Sequence, residues 1–385
     1  MNEKLVRNTQ RLVEWFKQEA LPLWSTVGIN PTNLGSYERL DASGKPDLDV
    51  NLRVRVQARQ MFTYSVAHYF GWTDVAPQVV KGLAQFVDNF GRHPSGQGYV
   101  HLLNANYEVI DSKQDLYDHA FFLLSLSWRY RAFNDDESKM EAEELVAFLD
   151  EKFGQKCGGW SEGDYDAPCR RQNPHMHLFE AFMSWYEASG DASWLARAGE
   201  MFALFETRFF DDSENVLLEF FNDDWTPLAG DKGRIVEPGH MFEWVWLLRW
   251  YQACSGREVS RYADALFQKG LEIGLNQNGL AYDAVTADGK VLDATKRCWP
   301  LIELVKAGLV QATAGHEQGE QIAADALERL IDRYLVSSTP GAYIDQLNAD
   351  DEVSVDVAPA STLYHLIVVA VEAQDYLQQL EMDNE

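Results

Sequence analysis

A polar side chain able to do chemistry recurs about every sixty residues along this chain, at Arg59, His119, His177, His240, Trp299 and His365. Each stands within or near the start of a strongly apolar, helix-like segment: RVRVQARQMFTY, YDHAFFLL, NPHMHLFEAF, EPGHMFEWVWLL, RCWPLIELV and STLYHLIVVAV. A second periodicity pairs glycine with an aromatic residue, at Gly35 and Tyr37, Gly98 and Tyr99, Gly159 and Trp160, Gly279 and Tyr282, Gly341 and Tyr343. Around residues 217–220 the same place is filled without a glycine. A repeat this long means one supersecondary unit stacked on copies of itself. If each copy contributes a polar group at the same place, those groups converge on one site.

The segments between and within these repeats read as helices of two kinds. Residues 3–18, 77–90, 136–153, 192–209, 258–274 and 317–335 are amphipathic. In 192–209, Trp194, Leu195, Ala198, Met201, Phe202 and Phe205 form one stripe at helical spacing, and Arg197, Glu200 and Glu206 mark the other face. Residues 52–70, 115–132, 175–188, 239–254, 299–313 and 360–377 are apolar nearly all round, which buries a helix on most sides. The expected fold is all-α: a single (α/α)6 barrel over residues 1–385, with six inner and six outer helices and short β-hairpins at the mouth. Pro174, Pro238, Pro300 and Pro359 fall just before or in the first turn of four inner helices, where a missing N–H costs nothing. The inner helices therefore start together at one end. GYVHLLNANYEVID and GLAYDAVTADGKVLD read as hairpins there, the second turning at Asp288-Gly289. The acidic run at 135–144 reads as the solvated start of an outer helix.

Composition narrows the function. An apolar fraction of 46% and an aromatic fraction of 12% suffice for a large core. A net charge of −27 argues against nucleic acid and anionic membrane surfaces, and weighs against a highly phosphorylated substrate. The first residues carry no apolar signal-peptide core, and no long apolar run follows. Cys157, Cys169, Cys254 and Cys298 lack CxxC spacing. A reduced cytoplasmic protein, monomer or homodimer, is expected.

His119, His175, His177, His240 and His365 lie at inner-helix starts. A single one reads as a satisfied structural group; five at equivalent places favour a site. His240 and Glu243 share a helix face, as do Trp299 with Glu303 and Asn173 with His177. Glu243 and Glu303 lie inside apolar helices, so each needs a partner or a ligand. Arg59 is the obvious countercharge. Tyr117, Trp160, Trp244, Trp299 and Tyr343 are expected at the mouth, where ring faces suit the C–H faces of sugars. On a helix His175 and His177 point apart, and no HExxH or Cys/His cluster accompanies them. Walker, GxGxxG and GxSxG motifs are absent, so neither metal nor cofactor is expected.

QAR at 57–59, NPHMHLFEAF at 173–182, EPGHMFEW at 237–244, RCWPLIE at 297–303 and the late Tyr364-His365 resemble, in order and interval, the N-acylglucosamine 2-epimerase superfamily. Its members are six-fold double-ring α-barrels acting on the reducing end of sugars. His240 followed by Phe-Glu-Trp leans toward the aldose–ketose isomerase branch on mannose-like sugars. The resemblance implies His240 and His365 as the acid/base pair. It implies Arg59, Tyr117, Asn173, His177, Glu243, Trp299 and Glu303 as ligands of the sugar hydroxyls. Arg234 matches only part of the family. The absence of an extra basic set near the mouth argues against a sulfonated substrate. The implied reaction is cofactor-free isomerisation of an unphosphorylated monosaccharide, D-mannose to D-fructose, through an enediol(ate). Glu243 would orient His240, and Trp244 would narrow one side of the pocket. The alternatives are a sugar 2-epimerase, a glycoside hydrolase using Glu243 and Glu303 as opposed carboxylates, or a sugar-binding protein without turnover.

Overall fold

The computed structural model describes residues 2–355 and 357–383; residues 1, 356 and 384–385 of the expected 1–385 domain lie outside the described residues. The chain runs α1 (Glu3–Trp15), its short continuation α2 (Leu21–Thr26), α3 (Arg55–Tyr69), α4 (Ala76–Phe86), α5 (Leu116–Phe133), α6 (Asp136–Phe153) and α7 (Gln172–Ser189). It continues through α8 (Ala192–Leu204), α9 (Pro238–Ser255), α10 (Ser260–Ile273), α11 (Cys298–Thr313), α12 (Gly319–Tyr334) and α13 (Leu363–Asp383). From α3 onward the odd helices form an inner ring. Each packs on the next, and α13 returns to α3, so the ring closes. The outer layer is α1, α4, α6, α8, α10 and α12, with α1 laid against α12 and α13. The fold is an (α/α)6 barrel.

Burial follows the two patterns of the sequence. In α3 every residue from Val56 to Ala67 is buried, as an all-round apolar helix requires. In α10 the buried set is Tyr262, Ala263, Leu266, Phe267, Gly270 and Ile273, one stripe at a spacing of three and four. The run at 135–144 opens α6 with Asp136, Glu137, Glu143 and Glu144 exposed. Three outer helices, α1, α4 and α8, end in π turns at Phe16–Ala20, Val87–Gly91 and Phe205–Phe209. No described helix is long and apolar enough to cross a membrane.

Short antiparallel strands gather the inner-helix starts at one end. Leu52–Arg53, Arg170–Arg171, Ile235–Val236 and Lys296–Arg297 each run straight into an inner helix, and each pairs with a strand of the following repeat. Arg39–Asp41 pairs with Val357–Pro359, joining the first repeat to the last. Pro238 occupies the first turn of α9, as the missing donor allows. Ala284–Thr286 and Val291–Asp293 form the expected hairpin. Gly289 closes it with φ +83°, donating to the Thr286 carbonyl at 2.8 Å. That left-handed backbone is the reason for a glycine there.

Candidate active site

Where the inner helices begin, a cavity of about 360 Å³ opens. Eight of the nine sequence-predicted site residues line it: Arg59, Tyr117, Asn173, His177, His240, Glu243, Trp299 and His365. The ninth, Glu303, is fully buried behind His365. Local structure sets these positions. Asp115 caps α5, accepting from the Tyr117 and Asp118 backbones at 3.0 and 3.4 Å, so Tyr117 sits in the first turn. Gly239 precedes His240; a Cβ there would lie 2.5 Å from the Trp299 ring. The glycine therefore lets the indole pack on the start of α9. Trp299 then stands between two imidazoles, with ring centroids 5.0 Å from His240 and 5.7 Å from His365.

The two histidines have opposite electrostatic surroundings. Nδ1 of His240 lies 3.0 and 3.1 Å from the two Glu219 oxygens and 3.6 Å from Glu237. Burial alone would lower its pKa, but the charges of Glu219 and Glu237 outweigh it and push the imidazole up to about 10. His240 is therefore an imidazolium at neutral pH, with both ring nitrogens donating. The Asn173 amide lies 3.1 Å from its Nε2. Turned with Oδ1 toward the ring, that amide accepts the Nε2 proton and satisfies an oxygen otherwise buried without a partner.

His365 donates Nδ1–H to Glu303 Oε1 at 2.8 Å. Burial, then the nearby charges of Arg59 and Lys306, hold its pKa well below the usual histidine value. It is neutral, and its lone pair sits on Nε2. His177 is also held well below the usual value, by burial and by Arg59, with Nδ1 3.1 Å from Glu180. Tyr364 donates to the same Glu180.

Several expectations are corrected by these contacts. Glu219 holds His240; Glu243 does not, being 3.9 Å from His177 instead, with Oε1 unpartnered. Arg59 is not the countercharge of Glu243 or Glu303. It donates to the Ser361 carbonyl at 3.1 Å and the Tyr117 hydroxyl at 2.7 Å, and stacks 3.9 Å above Phe121. The countercharge is Lys306, fully buried, 2.6 Å from Glu303 and 3.7 Å over the Trp246 ring. Burial opposes its charge, but Glu303, Glu243 and Glu180 keep it protonated. Sequence reasoning missed Lys306 although it stands three residues after Glu303, the ion-pairing interval of a helix. Ligand-type atoms of Glu243, Glu303 and His365 lie within 4.8 Å of one another. Glu303 is buried beside Lys306 and does not face the cavity, so the two carboxylates do not flank it as hydrolysis of a glycoside demands.

His119 does not reach the cavity. Its Nδ1–H donates to the Asp115 carbonyl at 2.7 Å, and its Nε2 accepts from the Tyr99 backbone at 3.1 Å. His175 repeats this one unit later, donating to Arg171 O at 3.2 Å and accepting from Trp160 N at 3.1 Å. Gly98 and Gly159 take φ +67° and +65°, and a Cβ on either would lie 2.5 or 2.7 Å from the facing Nε2. Glycine, aromatic and histidine are parts of one structural lock, which merges two of the sequence periodicities. His175 and His177 do point apart, one to that lock and one to the cavity.

Of the five aromatics expected at the mouth, Tyr117 and Trp299 line it. Trp160 and Tyr343 are buried elsewhere in the core. Trp244 is fully buried, stacked on Phe205 and Phe179 at 4.4 and 5.4 Å, with its indole N–H on Gln172 at 2.8 Å. It cannot narrow the pocket. The basic set thought absent is present: Arg53, Arg55 and Arg297 line the cavity beside Arg59. Each of the three is already paired, Arg53 with Glu38, Arg55 with Asp118 at 2.7 Å, and Arg297 with Asp283 at 3.1 Å. Arg234 is exposed, 3.7 Å from Asp288, and away from the cavity.

Two of these partners, Glu38 and Asp283, belong to a ring that sequence reasoning missed. In every repeat one backbone N–H bonds back to the end of the preceding outer helix: Tyr37, Val100, Ser161, Leu218, Tyr282 and Ile344. The next residue is Glu38, His101, Glu162, Glu219, Asp283 or Asp345. Five carboxylates and one imidazole so circle the mouth. The signal was the acid that follows four of the five glycine-aromatic pairs, at Glu38, Glu162, Asp283 and Asp345.

The sequence profile of the N-acylglucosamine 2-epimerase (GlcNAc 2-epimerase) family matches residues 35–369. The chain belongs to this family. Membership makes it an enzyme that isomerises sugars. Among curated relatives it is similar to a mannose-6-phosphate isomerase of Rhizobium meliloti strain 1021, at 33% identity over 96% of this chain and 97% of the relative. It is also similar to a D-mannose isomerase of Thermobifida fusca, at 25% identity over 80% and 79%. A solved cellobiose 2-epimerase of Bacillus thermoamylovorans B4167 shares the family fold with a TM-score of 0.85, at 18% identity, over 95% and 99% of the two chains.

Proposed function

We propose that this family member is an aldose–ketose isomerase of unphosphorylated sugars, converting D-mannose to D-fructose. The observation that carries the reading is the pair of histidines flanking Trp299, one cationic and one neutral, facing one cavity. His365 Nε2 takes the proton from C2 of the open-chain aldose. His240 gives a proton to O1, and the product is an enediol. Arg59 stabilises the oxygen that bears negative charge on the way. Returning the carbon-derived proton to C1, while the O2 proton passes back to His240, gives the ketose and restores both histidines. Asn173, His177, Glu243 and Trp299 hold the sugar; Glu303 acts from behind His365.

The similar mannose-6-phosphate isomerase raises a phosphorylated substrate. Carboxylates already neutralise Arg53, Arg55 and Arg297, leaving Arg59 as the cavity guanidinium without one among the described residues. This favours a neutral sugar. A second reading, 2-epimerisation, is favoured by the same two histidines standing on either side of Trp299, because protonating C2 from both faces needs two differently placed groups. Incubation with mannose, and separately with mannose 6-phosphate, in D₂O separates the readings by NMR. Mannose should give fructose carrying solvent deuterium. Glucose without ketose would make the epimerase reading the right one, and turnover of the phosphate ester alone would overturn the neutral-sugar reading.

A further inference from the structure

A second cavity, of about 540 Å³, opens at the opposite end of the barrel, among the C-terminal halves of the inner helices. No residue of the reaction proposed above lines it, so the inference here does not rest on that reading. Its volume is that of a small-molecule site. Three indoles form much of its wall: Trp128, Trp246 and Trp250. Two of them have their polar edges tied to carboxylates. The Trp250 N–H donates to Glu187 at 2.7 Å, and Trp246 hydrogen-bonds Glu372. Lys306 stands 3.7 Å over one face of Trp246 and Arg131 4.9 Å over Trp128, so a ligand would meet the remaining indole faces.

The charges in this wall do not balance. Glu180, Glu187, Glu372 and Asp375 face Arg131 and Arg249. Arg249 is spent elsewhere, on Asp264 at 2.7 Å and on Gln311, Gln252 and Ser260. Arg131 pairs with Glu187 at 3.3 Å. Lys306 lies beyond Trp246 and is bound to Glu303. Among the described residues Glu372 and Asp375 make no ion pair, and Lys306 and Arg131 act on them only from a longer distance. Burial raises both, Glu372 to about 7, the mark of carboxylates short of a positive partner. Indole faces beside unpaired carboxylates are the recognition chemistry of ammonium ions; a sugar would use the faces but not the charge.

We propose that this cavity is a second ligand site, which takes an organic ammonium ion with its apolar body on the tryptophan faces and its charge against Glu372 and Asp375. The test uses the full chain and choline, with 3,3-dimethyl-1-butanol as the uncharged isostere, at constant ionic strength. Tryptophan emission and calorimetry read binding. Choline should bind saturably and roughly tenfold or more tighter than the isostere. A Glu372→Gln/Asp375→Asn double variant should lose that preference while sugar turnover and circular dichroism show it folded. If the variant misfolds, Asp375→Asn alone should weaken choline binding. Equal binding of the isostere, undiminished choline binding in the folded variant, or no saturable response to choline would each overturn the proposal.

Discussion

His119 and His175 stand beside His240 and His365 on the same ring of inner helices, and all four are anchored through Nδ1. In the first pair the anchor is a backbone carbonyl, and Nε2 accepts a backbone N–H. Both nitrogens are used, so the ring is neutral and closed to a ligand. In the second pair the anchor is a carboxylate, Glu219 or Glu303, and the ring borders the cavity. Residue type is the same in the two pairs, and place in the helix differs by one: His119 and His175 are fourth residues of α5 and α7, His240 and His365 third residues of α9 and α13. That offset and the partner on each nitrogen separate lock from cavity residue.

The sharpest way to break this comparison is to remove one member of each pair. His365→Ala and His240→Ala should each lower turnover by roughly 10²-fold or more while leaving a folded protein, the scale of lost acid–base catalysis. His175→Ala should leave turnover near normal and cost about 1–3 kcal/mol of stability, because the Trp160 N–H loses its acceptor in a buried site. Kinetics and urea unfolding of the variants decide it. A His175 variant that folds normally and does not turn over would erase the distinction.

Next comes the carboxylate behind the acid. Glu219→Gln should lower turnover and bring the alkaline limb of the pH–rate profile down from about 10 toward neutrality, since Glu219 is the main group holding His240 protonated. Glu243→Gln should leave that limb in place. The pH profile of kcat/KM measures both; an unmoved limb in Glu219→Gln removes that residue from the role.

The neutral lock has a signature in acid. His175 is held down to about 3 by burial and by Arg170, against about 6.5 in the unfolded chain. The unfolded state takes up the proton first, so stability falls as pH drops below about 6.5 and this contribution levels near 3. His175→Gln should flatten that fall by ~1.4 kcal/mol per pH unit across the window. Chemical denaturation at several pH values reads the slope, and an unchanged slope would show that His175 titrates normally. The smallest effect belongs to Trp244→Phe. The product ratio from mannose should not change, because the indole is buried between the rings and absent from the cavity; an altered aldose-to-ketose ratio would return Trp244 to the pocket.

The barrel was legible because period and burial agree: an all-round apolar helix such as α3 must be enclosed, and a striped one such as α10 must cover it. Eight of the cavity residues were legible because a helix start fixes which side chains face the mouth. Which polar neighbour each one meets was not. Glu219 lies between the short strands Val216–Leu217 and Phe220–Phe221, ahead of α9, and no spacing along α9 points to it. Trp244 shares α9 and nearly a face with His240, yet it stands one turn further from the helix start, packed on Phe205 and Phe179 instead of at the cavity. His119 looked like a member of the convergent set because its spacing is right. Its partner Tyr99 is twenty residues away in sequence, across a turn whose glycine was visible and whose purpose was not.

The account turns on His240 being cationic and His365 neutral in the same cavity at the same pH. Nitrogen-15 NMR of the histidine side chains reads both directly, with the two rings assigned through the His240→Ala and His365→Ala variants. At pH 7 His240 should show protons on both nitrogens and hold them until about pH 10. His365 should show a proton on Nδ1 and a bare Nε2, with no titration near 6.5. Two rings titrating together near 6.5, or the reverse assignment of charge, would contradict the account.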